Sequence, residues 1–337
     1  MAAQRRPARA RVRAADVARQ AGVSIATVSL VANGKADGRV SASTQQRVLA
    51  AIAELGYVVD AAARSLVTGR RHAVALLTHD VTNPFISLVA SGVAHALGRG
   101  TQLLLALAGP DDEGPDLARV VAAAVDGALL NYPSGNDAAD LDLPLVHLDD
   151  PDAARGGAQV HFDLAAGAEQ LAGHLTGLGH RRLVYLDAVR PWATFAQRRR
   201  HLVDGLSRQA PDVTVAEARS AIDIESARAV VLGSWARWRD DGVTAIVTAA
   251  DVQAHGVLAA LAQLGVAVPG QVSVASFDNV PFSAITSPPL TAVDLPAAEL
   301  GRQAATLLME LIGGAPPRTT VLPTSLVVRG STGPAVC

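Results

Sequence analysis

The sequence predicts a small helical domain followed by a larger α/β domain made of two doubly wound lobes. Helical patterns fill residues 14–58, and from His72 onward apolar runs of strand length alternate with helical segments. The charge changes sign between the two parts. Residues 1–71 hold 12 basic and 4 acidic side chains, whereas the rest of the 337 residues holds 17 basic and 27 acidic ones. A basic head on an acidic body is typical of a nucleic-acid-binding domain joined to a domain for another partner.

The helical domain is preceded by a basic arm, residues 1–13, which we predict to be disordered. The arm contains five arginines: Arg5, Arg6, Arg9, Arg11 and Arg13. Three interpretations stay open for it: a solubilising tail, attraction to DNA phosphates without base reading, or a specific DNA contact.

Residues 16–33 have the pattern of two short helices joined by a tight turn. Gly22 allows the positive φ of a sharp helix exit, and Ser24 can cap the second helix because its hydroxyl can accept from a free amide. Small and hydroxyl side chains at the start of a second helix suit insertion into a major groove. A helical hairpin without a DNA partner is the alternative. The predicted DNA contacts in this stretch are Ser24, Ile25, Ala26, Thr27, Ser29, Leu30 and Asn33.

A third helix is predicted to begin after Ser41, another N-cap candidate, and to end near Leu55 with Gly56 as its C-cap. Val48 and Ile52 give this helix an apolar face that can pack on the first two helices. The three helices together form the predicted DNA-binding domain, residues 14–58.

Residues 16–33 also resemble the helix-turn-helix signature of LacI-type transcriptional regulators, Asp-Val-Ala-x-x-Ala-Gly-Val-Ser-x-x-Thr-Val-Ser-x-Val-x-Asn. The resemblance implies a hinge helix and linker over residues 59–71, in which Leu66 would wedge into the minor groove and Arg64 would contact DNA. Val59 and Asp60 replace the family's proline and asparagine. This change makes the start of the hinge less rigid and adds a negative charge near DNA. An ordinary linker helix is the alternative for this segment.

Leu30 is a further departure, because LacI-type regulators usually have an arginine at this position. Arginine can reach a guanine edge, whereas leucine contacts at most a thymine methyl group. We therefore expect an operator that differs from the common family half-site near its centre, or a weaker overall affinity.

The larger domain, residues 72–332, contains two sets of alternating strands and helices of similar size. Two such sets imply two doubly wound lobes, and ligands in such sheets bind beyond the carboxyl ends of the strands. The predicted strands are residues 73–78, 101–106, 127–130, 143–148, 183–187, 244–248 and 272–277. The predicted helices are residues 84–99, 114–125, 165–178, 223–239 and 252–264.

The resemblance to LacI-type regulators extends over this domain and implies the fold of periplasmic sugar-binding proteins. By analogy the chain crosses between the lobes near Phe162, Leu290 and Leu322. The tail, residues 333–337, is too short for a tetramerising coiled coil, so a homodimer is expected. The stretches that carry the resemblance are residues 80–85, 178–182, 268–274, 288–291 and 322–332. The implied N-lobe comprises residues 72–162 and 291–321, and the C-lobe residues 163–290 and 322–332.

Candidate effector-binding side chains follow the predicted strands. Asp80, Asn83 and Phe85 come after the first strand, and Asp149 comes after the strand that ends at Leu148. The family resemblance adds Arg200 and Asp278, which could form bidentate hydrogen bonds to the hydroxyls of a sugar. Each of these residues taken singly is better explained as a solvated surface charge or a helix cap than as a ligand contact, and only together do they indicate a site.

The sequence around these candidates departs from the family at two positions. Ala250 stands where the family often has asparagine, and Ile222 where it often has a stacking aromatic residue. Trp192 and Phe195 lie near Arg200 and either line the ligand site or belong to the core. The ligand is therefore not necessarily a common hexose.

The sequence thus predicts a ligand-responsive transcriptional repressor. It is expected to bind a pseudo-palindromic operator as a homodimer and to be modulated by a sugar-like effector. An enzyme or a transport-type sugar-binding protein on the same fold is the alternative. We find no Gly-rich phosphate loop, paired metal ligands or nucleophile elbow, so no catalytic residue, metal or cofactor is predicted.

The cellular location is expected to be the cytoplasm. No signal peptide is apparent, no apolar run could span a bilayer, and the one cysteine, Cys337, allows no disulfide within the chain. We therefore expect no membrane partner.

Overall fold

The computed structural model of the protein divides the chain into two compact units, residues 1–71 and 72–337. The predicted arm up to residue 11, Asn33, the hinge residues 58–69 with Arg64 and Leu66, and most of the predicted helix 114–125 lie outside the described residues. The structure describes residues 12–32, 34, 36–57, 70–107, 120, 122, 125–131, 143–150, 157–190 and 192–336.

The first unit contains the three predicted helices, α1 (Ala14–Ala21), α2 (Ile25–Ala32) and α3 (Ala42–Leu55). The turn between α1 and α2 forms as predicted, because Gly22 has a φ of 65° and its backbone N–H donates to the Ala18 carbonyl. The small core of this unit is built mainly from valine and alanine: Val17, Ala18, Ala21, Val28, Val31, Ala36, Val48 and Ala51.

Capping side chains define where these helices begin. The Ser24 hydroxyl accepts from the Thr27 backbone N–H at 3.1 Å, and the Ser41 hydroxyl accepts from the Thr44 backbone N–H at 3.3 Å. α3 ends at Gly56, whose φ of 63° is the left-handed conformation that glycine adopts readily. The predicted helix-turn-helix fold is therefore confirmed.

The second unit is built on two six-stranded sheets. The first sheet has all its strands parallel, in the order β11-β5-β4-β3-β1-β2. The helices α4 (Pro84–Leu97) and α9 (Ala297–Ile312) pack against each other beside this sheet. Its strands are β1 (Ala73–Thr78), β2 (Gln102–Leu107), β3 (Gly127–Asn131), β4 (Leu145–Leu148), β5 (Ala158–Phe162) and β11 (Thr319–Leu322).

The second sheet has the order β12-β10-β9-β8-β6-β7 and is parallel except for the antiparallel strand β12. Its strands are β6 (Arg182–Ala188), β7 (Thr214–Ser220), β8 (Ala245–Thr248), β9 (Ser273–Asp278), β10 (Thr291–Asp294) and β12 (Ser325–Val327). The helices of this lobe are α5 (Leu164–Gly177), α6 (Ala193–Gln209), α7 (Ile224–Asp240) and α8 (Asp251–Gln263). The two sheets confirm the predicted two-lobed α/β architecture.

The chain passes from one sheet to the other after β5, after β10 and after β11. The second of these passages lies after β10, so the lobe boundary predicted near Leu290 is wrong. β10 pairs in register with β9, with Thr291 opposite Ala275 and Asp294 opposite Asp278, so it belongs to the second sheet. The chain leaves this sheet only at Leu295–Pro296, because the hydrogen-bonded ladder continues to Asp294.

Five strands of this unit were not predicted: β5, β7, β10, β11 and β12. β7 and β11 lie at sheet edges with largely exposed side chains, and β10 and β12 are only four and three residues long. A search for buried apolar runs misses such strands. Within the described residues, no helix is both long and apolar enough to span a membrane.

Glycine permits the close packing of α4 on α9. A Cβ at Gly92 would lie 1.9 Å from the Ala298 carbonyl oxygen, and one at Gly301 would lie 2.0 Å from the Val89 carbonyl oxygen. The helices approach each other along their backbones, so a larger side chain at either position would force them apart.

We predict that Gly92→Ala lowers the free energy of unfolding by about 1–3 kcal/mol, because the added methyl overlaps backbone that cannot easily move. Gly233→Ala is the matched control, since Gly233 lies in α7 and a Cβ there meets nothing within 4 Å. This control should be neutral or stabilising by up to about 1 kcal/mol. Urea unfolding followed by circular dichroism measures both variants, and equal effects would contradict the prediction.

Candidate functional site

The first candidate site is the exposed face of α2 in the helical unit. Ile25, Ala26 and Ser29 are exposed on this helix, and Ile25 keeps 55% of its surface accessible. Thr27 and Leu30 are half-buried, while Val28 and Val31 point into the core. The helix therefore offers a mixed apolar and hydroxyl surface of the size that fits a major groove.

The second candidate site is a cavity of about 300 Å³ in the larger unit. It lies where strands of both sheets end, since Thr78, Asn131 and Leu148 come from the first sheet and Ala188 and Asp278 from the second. This is the position that the topology of parallel sheets predicts for a ligand. Of the predicted effector residues, the following line the cavity: Asp80, Asn83, Phe85, Asp149 and Asp278.

Arg198 of α6 is the central side chain of this cavity. Its guanidinium donates through Nη1 to Asp278 Oδ1 at 2.8 Å and to the Ala249 carbonyl at 2.7 Å. Nη2 lies 3.5 Å from Asp149 Oδ2, which also accepts from the Thr194 hydroxyl at 3.0 Å. The Arg198 side chain is only 3% exposed. The guanidinium therefore joins two buried carboxylates and one backbone carbonyl.

The Arg198 group also connects the two lobes. Asp149 follows β4 of the first sheet, whereas Arg198 and Thr194 belong to α6 beside the second sheet. A second contact also joins the two lobes. The ring of His79, which follows β1, lies 4.7 Å from the ring of Trp192, which precedes α6. Trp192 in turn stacks on Phe195 at 5.8 Å. The start of α6 thus contacts the ends of two strands of the opposite sheet.

Behind Arg198 lies a third carboxylate, Asp251, at the start of α8. Its backbone N–H donates to Asp278 Oδ2 at 3.3 Å, and its Oδ2 accepts from the Val280 N–H at 2.8 Å and from the Ser283 hydroxyl at 2.5 Å. Two buried carboxylates therefore pair with the guanidinium, and a third is hydrogen-bonded to one of them through its backbone.

Burial shifts the protonation of these carboxyl groups. It raises the pKa of Asp149 to about 6, although the Arg198 charge and the Thr194 hydroxyl act in the opposite direction. Burial and the neighbouring charge of Asp278 raise the pKa of Asp251 to about 7. The pKa of Asp278 is also raised by burial, against the influence of Arg198. Perturbed groups of this kind that converge on a cavity are typical of functional sites.

The backbone at two of these aspartates adopts conformations that non-glycine residues seldom use. The φ of Asp149 is 53° and that of Asp278 is 119°. Positive φ values at residues that line one cavity indicate that the surrounding structure holds these side chains in place.

The structure corrects the predicted ligand arginine from Arg200 to Arg198. Arg200 is exposed and does not line the cavity. The prediction counted back from Gly205, but the buried residues of α6 follow the helical repeat, with Thr194, Arg198, Leu202 and Gly205 among them. Position 200 lies two residues beyond Arg198, which turns its side chain about 200° around the helix axis. Helical periodicity around the apolar Leu202 and Leu206 could have identified Arg198.

Some of the other residues that line the cavity were considered in the sequence analysis, and others were not predicted. Trp192, Phe195, Ile222 and Ala250 line the cavity, so the two aromatic residues contribute to its wall. His79 and Thr194 were not predicted, and no sequence signal separates them from other residues that follow a strand or begin a helix. Asp251, which lies behind the cavity, was not predicted either, and it meets Asp278 because the ends of β8 and β9 come together.

The fold and these two sites define a class of protein: a helix-turn-helix DNA-binding unit joined to a two-lobed domain with a ligand cavity. Comparison with known proteins agrees with this class. Residues 14–60 match the family described as bacterial regulatory proteins, lacI family, and residues 172–332 match a periplasmic binding protein-like domain.

Relatives with similar sequences cover nearly the whole chain. The HTH-type transcriptional regulator reg1 of Streptomyces lividans is 35% identical and aligns over 96% of this chain and 97% of its own. The ribose operon repressor of Bacillus subtilis is 30% identical over 91% of this chain and 94% of its own.

A solved structure of the lac repressor dimer bound to operator and the anti-inducer ONPF superimposes with a TM-score of 0.81. It is 26% identical and covers 96% of this chain and 99% of its own. The chain therefore belongs to the LacI family of bacterial regulatory proteins. It is a DNA-binding regulator of transcription, which confirms that prediction over the enzyme and transport-protein alternatives.

We predict that Arg198→Met lowers the free energy of unfolding by about 3–5 kcal/mol, because it leaves buried carboxylates without their cation. Arg200→Met is the matched control and should change stability by less than about 0.5 kcal/mol, since Arg200 is exposed. Urea unfolding of the full chain measures both variants. A stability loss in Arg200→Met as large as in Arg198→Met would contradict the assignment.

The stability contribution of Asp149 should depend on pH. Its pKa is about 6 in the folded chain and near the ordinary value of 3.8 once unfolded. Between pH 3.8 and pH 6 the folded chain binds the Asp149 proton more tightly than the unfolded chain does. The contribution of Asp149 to the free energy of unfolding is therefore greatest below pH 3.8 and is lost as pH rises through 6. The difference in unfolding free energy between the wild type and Asp149→Asn should therefore fall by about 3 kcal/mol over this range. Unfolding curves at several pH values test this, and a difference that stays constant would refute it.

Proposed function

We propose that this regulator is a repressor that binds a pseudo-palindromic operator as a homodimer in the cytoplasm, and that a sugar-like molecule in the cavity modulates its affinity for DNA. One observation carries the proposal. Arg198, Asp149 and Asp278 converge on a cavity lined by both sheets, in a chain that also carries a helix-turn-helix unit. The two similar proteins named for repression, the ribose operon repressor and the lac repressor dimer bound to operator, support this function.

DNA recognition is proposed for the face of α2. Ile25, Ala26 and Leu30 would make apolar contacts with bases, and the hydroxyls of Thr27 and Ser29 would contact base edges or phosphates. Ser24 would contribute at the helix start, where backbone N–H groups favour a phosphate. Asn33, Arg64 and Leu66 complete the proposed contacts by family resemblance and lie outside the described residues.

Effector binding is proposed for Arg198 together with the predicted carboxylates. A guanidinium and carboxylates in one cavity can form charge-assisted hydrogen bonds with several hydroxyls of a small polyol. Phe85 and Trp192 supply apolar walls on which a ring can pack. Asp80, Asn83, Asp149 and Asp278 are the other proposed contacts.

Because the two sheets both contribute to the cavity, a ligand that contacts both would favour one relative position of the lobes. Asp149 lies on one side of the cavity and Arg198 on the other, so a ligand that replaces or extends their contact acts on the lobe positions directly. We propose that this change in population is what the DNA-binding unit responds to.

The homodimer is supported by apolar side chains exposed on a surface turn of the second lobe. Phe282, which is 57% exposed, lies in the 3₁₀ turn Pro281–Ala284, and Ile285, which is 77% exposed, directly follows this turn. Adjacent exposed apolar residues of this size are typical of protein interfaces.

Leu30 gives a test of the proposed DNA contacts. We predict that binding-site selection with the wild-type chain shows no preference for guanine near the centre of the half-site, because the leucine side chain can neither donate nor accept a hydrogen bond. Leu30→Arg should introduce a guanine preference at that position, and Leu49→Arg, an exposed control on α3, should not. Selection of the same half-site by the wild type and Leu30→Arg would contradict the contact.

The proposed function as a whole is tested by fluorescence anisotropy with the selected operator and a panel of sugars and nucleosides. We expect the ligand-free chain to bind the operator and at least one ligand to change the dissociation constant by tenfold or more. Weaker binding would identify an inducer, and tighter binding a corepressor. The Arg198→Met variant should lose the ligand response, whereas Arg200→Met should keep it. An operator affinity that no ligand changes would contradict the effector role of the cavity.

A further inference from the structure

The cavity carries an excess of negative charge. Among the described residues that line it are five carboxylates, those of Asp80, Asp149, Asp150, Asp223 and Asp278. The guanidiniums that line it are those of Arg190 and Arg198. His79 adds little positive charge, because burial and the neighbouring Arg190 lower its pKa. A ligand with a negative charge would therefore enter an unfavourable field.

The positive charge at the buried end of the cavity is already used within the protein. Arg198 donates to Asp278, to the Ala249 carbonyl and to Asp149, and Asp251 adds a further carboxylate behind Asp278. One guanidinium is therefore paired with two buried carboxylates, and a third lies next to Asp278. Both terminal nitrogens of the guanidinium therefore already have partners within the protein, and the carboxylates at this end of the cavity outnumber the guanidinium.

One oxygen of these carboxylates also lacks a hydrogen-bond partner. Asp149 lines the cavity, its side chain is 5% exposed, and its Oδ1 has no partner among the described residues. A buried acceptor of this kind is costly unless a donor reaches it. A ligand with a donor at this point would remove that cost.

The amide side chains of the cavity do not change this balance. Asn83 caps α4 by accepting from the Phe85 N–H at 3.0 Å. The Asn131 amide donates to the Leu148 carbonyl at 3.3 Å. Position 250 is an alanine and offers no side-chain donor. The amides carry no charge, so the carboxylates that line the cavity still outnumber its guanidiniums.

Two further carboxylates of the cavity, those of Asp80 and Asp223, have neutral partners. Asp80 accepts from the backbone N–H and the hydroxyl of Thr82, and Asp223 accepts from the backbone N–H and the hydroxyl of Ser226. These bonds hold the carboxylates in place without neutralising them. The negative charge of the cavity is therefore not confined to the group around Arg198.

Resting on the proposed function of this cavity, we propose that its ligand is a small cationic polyol, a molecule with several hydroxyls and one primary ammonium group, such as an amino sugar. The ammonium supplies three donors and the missing positive charge beside Asp149. The hydroxyls use the remaining carboxylate acceptors, and Trp192 and Phe195 offer aromatic surface to the cation.

The test is isothermal titration calorimetry of the full chain with matched pairs of sugars: glucosamine and glucose, galactosamine and galactose, mannosamine and mannose. Glucuronate serves as the anionic member. We expect one amine to bind at least tenfold more tightly than its neutral partner, and glucuronate to bind most weakly. A neutral sugar that binds as tightly as its amine would overturn the proposal, as would the failure of all three amines at about 10 mM.

Two variants test whether Asp149 causes the tighter binding of amines than of neutral sugars. Asp149→Asn keeps the size and an acceptor but removes the charge, so the amine-to-neutral ratio should fall to less than threefold. Asp212→Asn is the matched control, because Asp212 is exposed and pairs with Arg181 away from the cavity. Its ratio should equal that of the wild type. An unchanged ratio in Asp149→Asn would overturn the role of Asp149.

The same titrations separate this inference from the proposed function. If a neutral sugar changes operator binding and its amine does not, the cavity is an effector site and the charge inference is wrong. If an amine binds in the calorimeter and operator binding never responds, the charge inference stands and the effector role is wrong.

Discussion

The ligand domain depends on one interaction, the pairing of the Arg198 guanidinium with two buried carboxylates. The guanidinium pairs with Asp278 of its own lobe and with Asp149 of the opposite lobe, at a place where neither carboxylate is exposed. Removing charges from water is expensive, so such a group is stable only when its partners are held in good geometry. The two sheets supply that geometry because their strands end on either side of it.

This arrangement joins stability and function in one set of atoms. The contact between Asp149 and Arg198 is long, at 3.5 Å, and one Asp149 oxygen has no partner, whereas the contact with Asp278 is 2.8 Å. The weaker half of the group is therefore the half that crosses between the lobes. A ligand that competes there acts on the lobe positions with little loss inside the second lobe.

Within the described part of the larger domain, seven of the twelve strands and four of the helices were predicted, because buried parallel strands are continuous apolar runs and these helices keep their periodicity. The helices α6 and α9 were not predicted. The strand at residues 73–78 was predicted with its observed limits. The edge strands β7 and β11 were missed because their exposed faces carry no apolar run. The passage between lobes was misplaced because β10 is held in the second sheet by its ladder with β9, which is a long-range pairing.

The sequence by itself determined the class of protein, the three helices of the DNA-binding unit and the strand ends at which polar residues meet. Those features depend on local patterns: capping serines at positions 24 and 41, Gly22 at a sharp turn, and apolar runs followed by aspartates. Only the tertiary structure decided which arginine enters the cavity and that Asp149 reaches it from the other lobe. In the run Arg198, Arg199 and Arg200 the three side chains are chemically identical. What separates them is the face of α6 that packs inward, and that face is fixed by contacts between residues far apart in the chain.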